Sequence, residues 1–137
     1  METVIVDAGP LVAYLKKDDA DHPWAVEQFK RFRVPLHTCD AVLSEAFFLL
    51  QQTRNGARQL LALLERGIVV PSFALATELP AVGQLMRRYE DVPMALADAR
   101  LVRMAELASQ STVFTLDSDF RIYRKDRRQI IPLIYPE

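Results

Sequence analysis

Four acidic side chains stand where the surrounding sequence is apolar: Asp7, Glu45, Asp98 and Asp117. Asp7 follows directly on the β-branched run from Thr3 to Val6, and Asp117 on the run from Thr112 to Leu116. In parallel α/β sheets, ligands bind at the carboxyl ends of strands, which is where these two acids would sit. Met94, Ala97, Leu101, Val102, Met104, Ala105 and Ala108 share one arc at a helical period, with Asp98 in the middle of it. Arg100, Arg103 and Glu106 fall on the opposite side. Glu45 lies between Ala41, Phe48 and Leu49 in a stretch apolar nearly all round, the pattern of a buried helix. A carboxylate facing apolar surroundings is costly unless something compensates it. For each acid alone a structural reading stays open: a buried ion pair, a helix cap, or a helix acid reaching an arginine. Taken together, four such acids would repel one another, and no comparable set of buried-looking basic residues offers to pair with them. A hard divalent cation, Mg²⁺ or Mn²⁺, resolves the conflict, because such ions prefer oxygen ligands and keep waters for substrate and nucleophile. That chemistry suits attack on a phosphodiester.

The elements that must carry these acids alternate between strand and helix patterns. Strands are expected at Thr3 to Val6, Val34 to Thr38, Ile68 to Val70, Thr112 to Leu116 and Ile130 to Ile134. The last of these tolerates Pro132 only at a sheet edge. Helices are expected from Pro10 through Leu15, from Pro23 to Phe32 capped by Asp21, and from Asp40 to Gln52. Others follow over residues 58–66, closed by Gly67, from Thr77 to Tyr89 with Pro80 near its start, and from Met94 to Ala108 with Asp91 as its N-cap. Asp119 to Arg124 forms a helical turn. The alternation predicts a three-layer α/β/α sandwich around a mainly parallel central sheet.

Composition sets the frame. A chain of 137 residues, half of them apolar, buries a core as a single domain without disulfides. The single cysteine, Cys39, excludes an internal disulfide, suits a reducing cytosol, and reads as a small core residue. The N-terminus has neither the basic region nor the apolar run of a signal peptide, and no stretch is long enough to cross a bilayer, so a soluble, cytoplasmic protein is expected. A net charge of −1 does not announce a nucleic-acid binder.

Four segments in series resemble the PIN-domain nucleases, and among them the VapC-type toxins of bacterial toxin–antitoxin pairs: Val4 to Leu11, Ser44 to Leu50, Met94 to Val102, and Thr115 to Phe120. The resemblance implies an α/β/α fold and a Mg²⁺- or Mn²⁺-dependent endoribonuclease acting on RNA. It implies that Asp7, Glu45, Asp98 and Asp117 form the family's acidic quartet, with Asp119 as an additional acid and Thr115 as a site hydroxyl. A homodimer and a cognate antitoxin are implied as well. The chain departs from the family pattern directly after Asp7, where Ala8-Gly9 stands in place of a hydroxyl residue and an asparagine.

Weaker signals carry two readings each. Arg121, Arg124, Lys125, Arg127 and Arg128 would form a strip holding the RNA backbone, or a solvated surface run. Arg87 and Arg88 are lesser candidates. His22 and His37 lack ligand spacing and read as incidental, and Trp24 with Phe47 and Phe48 as core. Helices around Trp24 and Leu60 to Leu64 offer a groove for a partner helix. A phosphoryl-accepting aspartate is disfavoured because Gly9 stands where a second aspartate is usual. A catalytically inactive RNA- or partner-binding module, or a metal-dependent DNA nuclease, remain the alternatives.

Overall fold

In a computed structural model, residues 2–33 and 35–136 are described. Val34, the first residue of the expected second strand, lies outside them. Strands β1 (Thr3–Val6), β2 (Leu36–Thr38), β3 (Val69–Pro71), β4 (Ser111–Phe114) and β7 (Leu133–Ile134) form one sheet in the order β3-β2-β1-β4-β7, parallel throughout. A two-stranded antiparallel hairpin, β5 (Arg124–Lys125) with β6 (Gln129–Ile130), stands apart from it. The expected last strand is thus split in two. Pro132 falls between the halves, where its carbonyl accepts from the Val113 N–H at 2.9 Å and no proline N–H is needed.

Helices α1 (Ala8–Leu15), α2 (His22–Arg31), α3 (Asp40–Leu49) and α4 (Gly56–Glu65) pack as one group, and α5 (Leu75–Arg88) with α6 (Leu96–Leu107) as another. Right-handed crossovers send the first group to one face of the sheet and the second to the other, because the chain leaves β1 in one direction and returns to β4 on its far side. The α/β/α layering expected from the alternation is what forms. Ile5, Val6, Leu36, Val113 and Phe114 fill the sheet, and Trp24 and Phe29 from α2, with Phe32 at its C-cap, lean on the Phe114 ring at centroid distances of 5.0–5.6 Å. Among the described residues no helix is long and apolar enough to cross a membrane.

Helix ends depart from expectation in instructive ways. Asp21 occupies the N-cap of α2 without a side-chain bond, while its own N–H donates to Asp19 Oδ1 at 2.8 Å. The helix expected from Met94 begins at Leu96, with Ala95 as N-cap, so Asp91 caps nothing. Pro93 keeps the preceding residue out of the helical region, and Met94 turns inward as a buried plug before the helix starts. Helix α5 starts two residues earlier than expected, at Leu75, and takes Pro80 into its body. Gly67 behaves as read: its φ of 72° closes α4, with its N–H on the Leu64 carbonyl and that of Ile68 on the Leu63 carbonyl.

Candidate active site: a carboxylate cleft at the sheet's switch point

The strand order reverses between β1 and β4, and the chain segments leaving these two neighbours diverge there. Asp7, at the end of β1, and Asp117, three residues past β4, therefore flank one crevice. Helix α6 brings Asp98 in its first turn and α3 brings Glu45. Together with Gly9 and Leu116 the four acids line a single cleft of about 230 Å³. Larger cavities exist elsewhere, but size does not mark the chemistry here; the convergence of carboxylates does.

Each aspartate is held by a donor. Asp7 is the N-cap of α1: its Oδ1 accepts from the Ala8 N–H at 2.8 Å, and its Oδ2 from the Thr115 hydroxyl at 2.7 Å. The Thr115 oxygen also accepts from the Asp117 N–H at 3.0 Å, so one buried hydroxyl ties both strand ends together. Asp117 caps the 3-10 turn Ser118–Arg121, its Oδ1 accepting from the Asp119 N–H at 2.9 Å. Asp98 Oδ2 accepts from the Tyr123 phenol at 3.0 Å. The capping role and the cleft role, posed as alternatives by the sequence, are both filled by Asp7 and Asp117.

The ion-pair alternative is not realised. Among the described residues, none of the four acids makes a salt bridge; the ion pairs are Lys30–Glu27 and Arg103 with Glu78 and Glu106. Arg100, two residues past Asp98, lies beside the Cys39 thiol with its Nε buried and unpartnered, and pairs with no acid. Uncompensated, the cluster shifts its own protons. Burial raises the pKa of Asp7, the Thr115 and Ala8 bonds pull it back, and the charges of Glu45 and Asp117 raise it again. Asp98 is pushed up to about 6, first by burial and then by the charges of Asp7 and Asp117, against the opposing Tyr123 bond.

Sequence reasoning misplaced several side chains. Glu45 is exposed, not buried, because α3 turns Ser44, Glu45, Phe48 and Leu49 outward; Phe48 is 66% and Leu49 47% exposed. Phe48 is therefore not core, although Phe47 and Trp24 pack against it. Asp98 is half-buried at the mouth rather than central on a buried face. Asp119 supplies a backbone donor to Asp117, but its side chain does not line the cleft. The basic strip is not continuous. Lys125 is buried; Arg124 spends its guanidinium on the carbonyls of Arg121, Ile122 and Tyr123. Arg121 lies 4.5 Å from the Tyr135 ring centroid, and Arg127 and Arg128 are exposed at the hairpin tip. His22 bonds the Ala13 carbonyl and His37 the Ser72 hydroxyl, consistent with incidental roles. Tyr123 was missed: a lone tyrosine six residues past Asp117 has no motif to flag it.

A hard divalent cation fits this donor set. All four side chains offer oxygen, no cationic side chain competes, and Asp7 and Asp98 are destabilised as carboxylates. Among the described residues no group of three or more His, Cys, Asp or Glu side chains is placed to hold a metal ion together. An open arrangement is what Mg²⁺ tolerates, since it binds through one or two carboxylates and keeps several waters. Gly9, the second residue of the departure after Asp7, faces Leu116 across the cleft wall. A Cβ there would stand 3.2 Å from Leu116, so a larger residue would crowd the wall of the cleft.

The PIN domain family profile matches residues 4–126. Among solved structures, the Mycobacterium tuberculosis toxin VapC20, described as cleaving the sarcin-ricin loop, is similar with a TM-score of 0.75 and 18% identity, covering 85% of this chain and 92% of that one. VapBC2 from Rickettsia felis, solved bound to a DNA fragment from its promoter, is similar with a TM-score of 0.63 and 17% identity over 100% of both chains. At these identities the likeness is one of fold. Among curated proteins none matches the chain.

Proposed function

The chain belongs to the PIN-domain family, a family of nucleases, and on that premise we propose that it is a Mg²⁺- or Mn²⁺-dependent endoribonuclease, the toxin of a toxin–antitoxin pair. The observation that carries the proposal is the cleft in which Asp7, Glu45, Asp98 and Asp117 meet without a basic partner. In this reading the four carboxylates hold the cation, directly or through its retained waters, and Asp119 adds negative charge beside Asp117. The bound ion supplies charge neutralisation at the scissile phosphate and a water of lowered pKa. Thr115 keeps Asp7 and Asp117 in register for that task. Arg121, Arg127 and Arg128 are the cations left to hold the RNA backbone; Arg124 and Lys125 support the hairpin that presents them.

Two surfaces support the partners. Between α2 and α4, Tyr14, Val26, Phe29 and Leu63 line apolar cavities of about 310 and 410 Å³, rimmed by Lys17, Lys30 and Arg66. That groove suits an amphipathic antitoxin helix with acidic edges. Trp24, read as core from the sequence, packs against Phe114 and does not line the groove. The homodimer is supported by the exposed apolar face of α3, Phe48 and Leu49, beside Glu45.

The test is cleavage of RNA, and of DNA of the same sequence, by purified protein with Mn²⁺ or Mg²⁺. RNA products with 5′-phosphate and 3′-hydroxyl ends, abolished by EDTA and by Asp7→Asn, are expected. Cyclic 2′,3′-phosphate ends or indifference to EDTA would overturn the mechanism. Cutting confined to DNA would overturn the substrate, and RNA binding without cutting would leave an inactive binding module.

A further inference from the structure

Two of the three aspartates in the cleft are held by hydroxyl groups, Asp7 by Thr115 and Asp98 by Tyr123. We propose that Tyr123 is a positioning residue of the cation site, its phenol fixing the orientation in which Asp98 is presented to the cleft. The inference rests on the carboxylates binding a divalent cation.

The surroundings of Tyr123 suit a fixed donor rather than a space-filling ring. The side chain is fully buried. Its ring is gripped edge-to-face by Tyr89 and Phe120, each at a centroid distance of 5.3 Å. Its backbone is pinned on both sides: the Tyr123 N–H donates to the Asp119 carbonyl at 3.2 Å, and the Arg124 N–H to the Tyr89 phenol oxygen at 2.9 Å. Two aromatic contacts and two main-chain bonds leave the ring little freedom, so the phenol is delivered to one place. There it meets Asp98 Oδ2 at 3.0 Å. Asp98 stands in the first turn of α6, half-buried, on a side chain with two rotatable bonds. The other hydrogen bond bearing on Asp98 comes from the main chain of Ala95, the N-cap of its own helix, so the phenol is the restraint that reaches it from another part of the fold. A carboxylate has about four lone-pair sites, so one phenol donor leaves capacity for a cation. Partners of this kind orient metal ligands, and their removal typically costs about 10- to 100-fold in metal affinity.

The experiment uses EDTA-treated whole protein and Mn²⁺ alone as probe. Isothermal titration is run on the wild type, Tyr123→Phe, Asp98→Asn and the double variant, with a thermal melt of each in EDTA. Tyr123→Phe keeps the ring and removes the hydroxyl. It should weaken Mn²⁺ binding by about tenfold, while its melting temperature in EDTA stays close to that of the wild type. Tyr123→Phe should add no further loss in the Asp98→Asn background, because it acts through that carboxylate. Wild-type affinity in Tyr123→Phe, or an equal loss with and without Asp98, would overturn the proposal and leave the cation site standing. A wild type that binds Mn²⁺ no better than Asp98→Asn would overturn both. If Tyr123→Phe does not fold, wild type carrying ring-¹³C tyrosine decides: Mn²⁺ must broaden the Tyr123 signals more strongly than those of Tyr14 at the far end of α1. Unbroadened Tyr123 signals would refute the proposal.

Discussion

One hydroxyl, that of Thr115, donates to Asp7 and accepts from the main chain of Asp117, so the ends of two neighbouring strands are set by a single buried oxygen. The acids it organises are poorly solvated and mutually repulsive, and that has a signature in stability. Asp98, pushed up to about 6, is protonated more in the folded than in the unfolded chain, where its pKa is about 4. The folded state therefore binds more protons across that window, and stability falls as pH rises from about 4 through about 6. Asp98→Asn removes the term. In EDTA the variant should melt close to wild type at pH 4 and above it at pH 7.5, by roughly 3–6 °C if the net effect is about 1 kcal/mol. A variant that melts lower than wild type at pH 7.5 would mark Asp98 as a structural partner instead.

At the scale of elements, legibility depended on whether a local rule acted alone. The Gly67 turn was readable because a glycine past an apolar helix has one main use, and the structure honours it with φ of 72° and both closing bonds. No atom lies within 4 Å of where a Cβ would stand, so Gly67→Ala meets only the backbone penalty. It should cost about 1 kcal/mol in a denaturant melt with no change in slope. The end of β1 was legible for the same reason, a β-branched run stopping at Asp7, whereas β4 ends at Phe114, two residues short of the expected Leu116. Helix α3 was not. Its apolar residues signalled burial, but neither the sheet nor α1 covers the face with Glu45, Phe48 and Leu49, and periodicity cannot reveal which side goes uncovered. On the proposed dimer, Phe48→Glu should leave a monomer in sedimentation whose melting temperature no longer rises with protein concentration. The basic stretch after Asp117 failed for another reason. Charges were counted as surface before the hairpin existed, yet the Glu106 carboxylate anchors the Asp126 N–H, Arg124 turns back on its own carbonyls, and Lys125 is enclosed.

Over the whole molecule, two helical layers flank one parallel sheet, and α3 of one layer touches α6 of the other. Asp7 comes with the α1 side, Asp98 with α6, and Asp117 with the strand between them and the edge, so the cleft exists only when both layers are docked. The part-buried ion pair from Arg103 of α6 to Glu78 of α5, at 2.7 Å, ties the two helices together, and Glu106, one turn on within α6, holds the same guanidinium at 3.1 Å. The central claim is that this convergence is a site for one hard divalent cation, and anomalous diffraction from Mn²⁺-soaked crystals tests it most directly. A Mn²⁺ peak is expected in the cleft at roughly 2.0–2.3 Å from carboxylate oxygens drawn from Asp7, Glu45, Asp98 and Asp117, lost in Asp7→Asn crystals. A cleft without a peak at saturating Mn²⁺, or a peak that persists in Asp7→Asn, would contradict it.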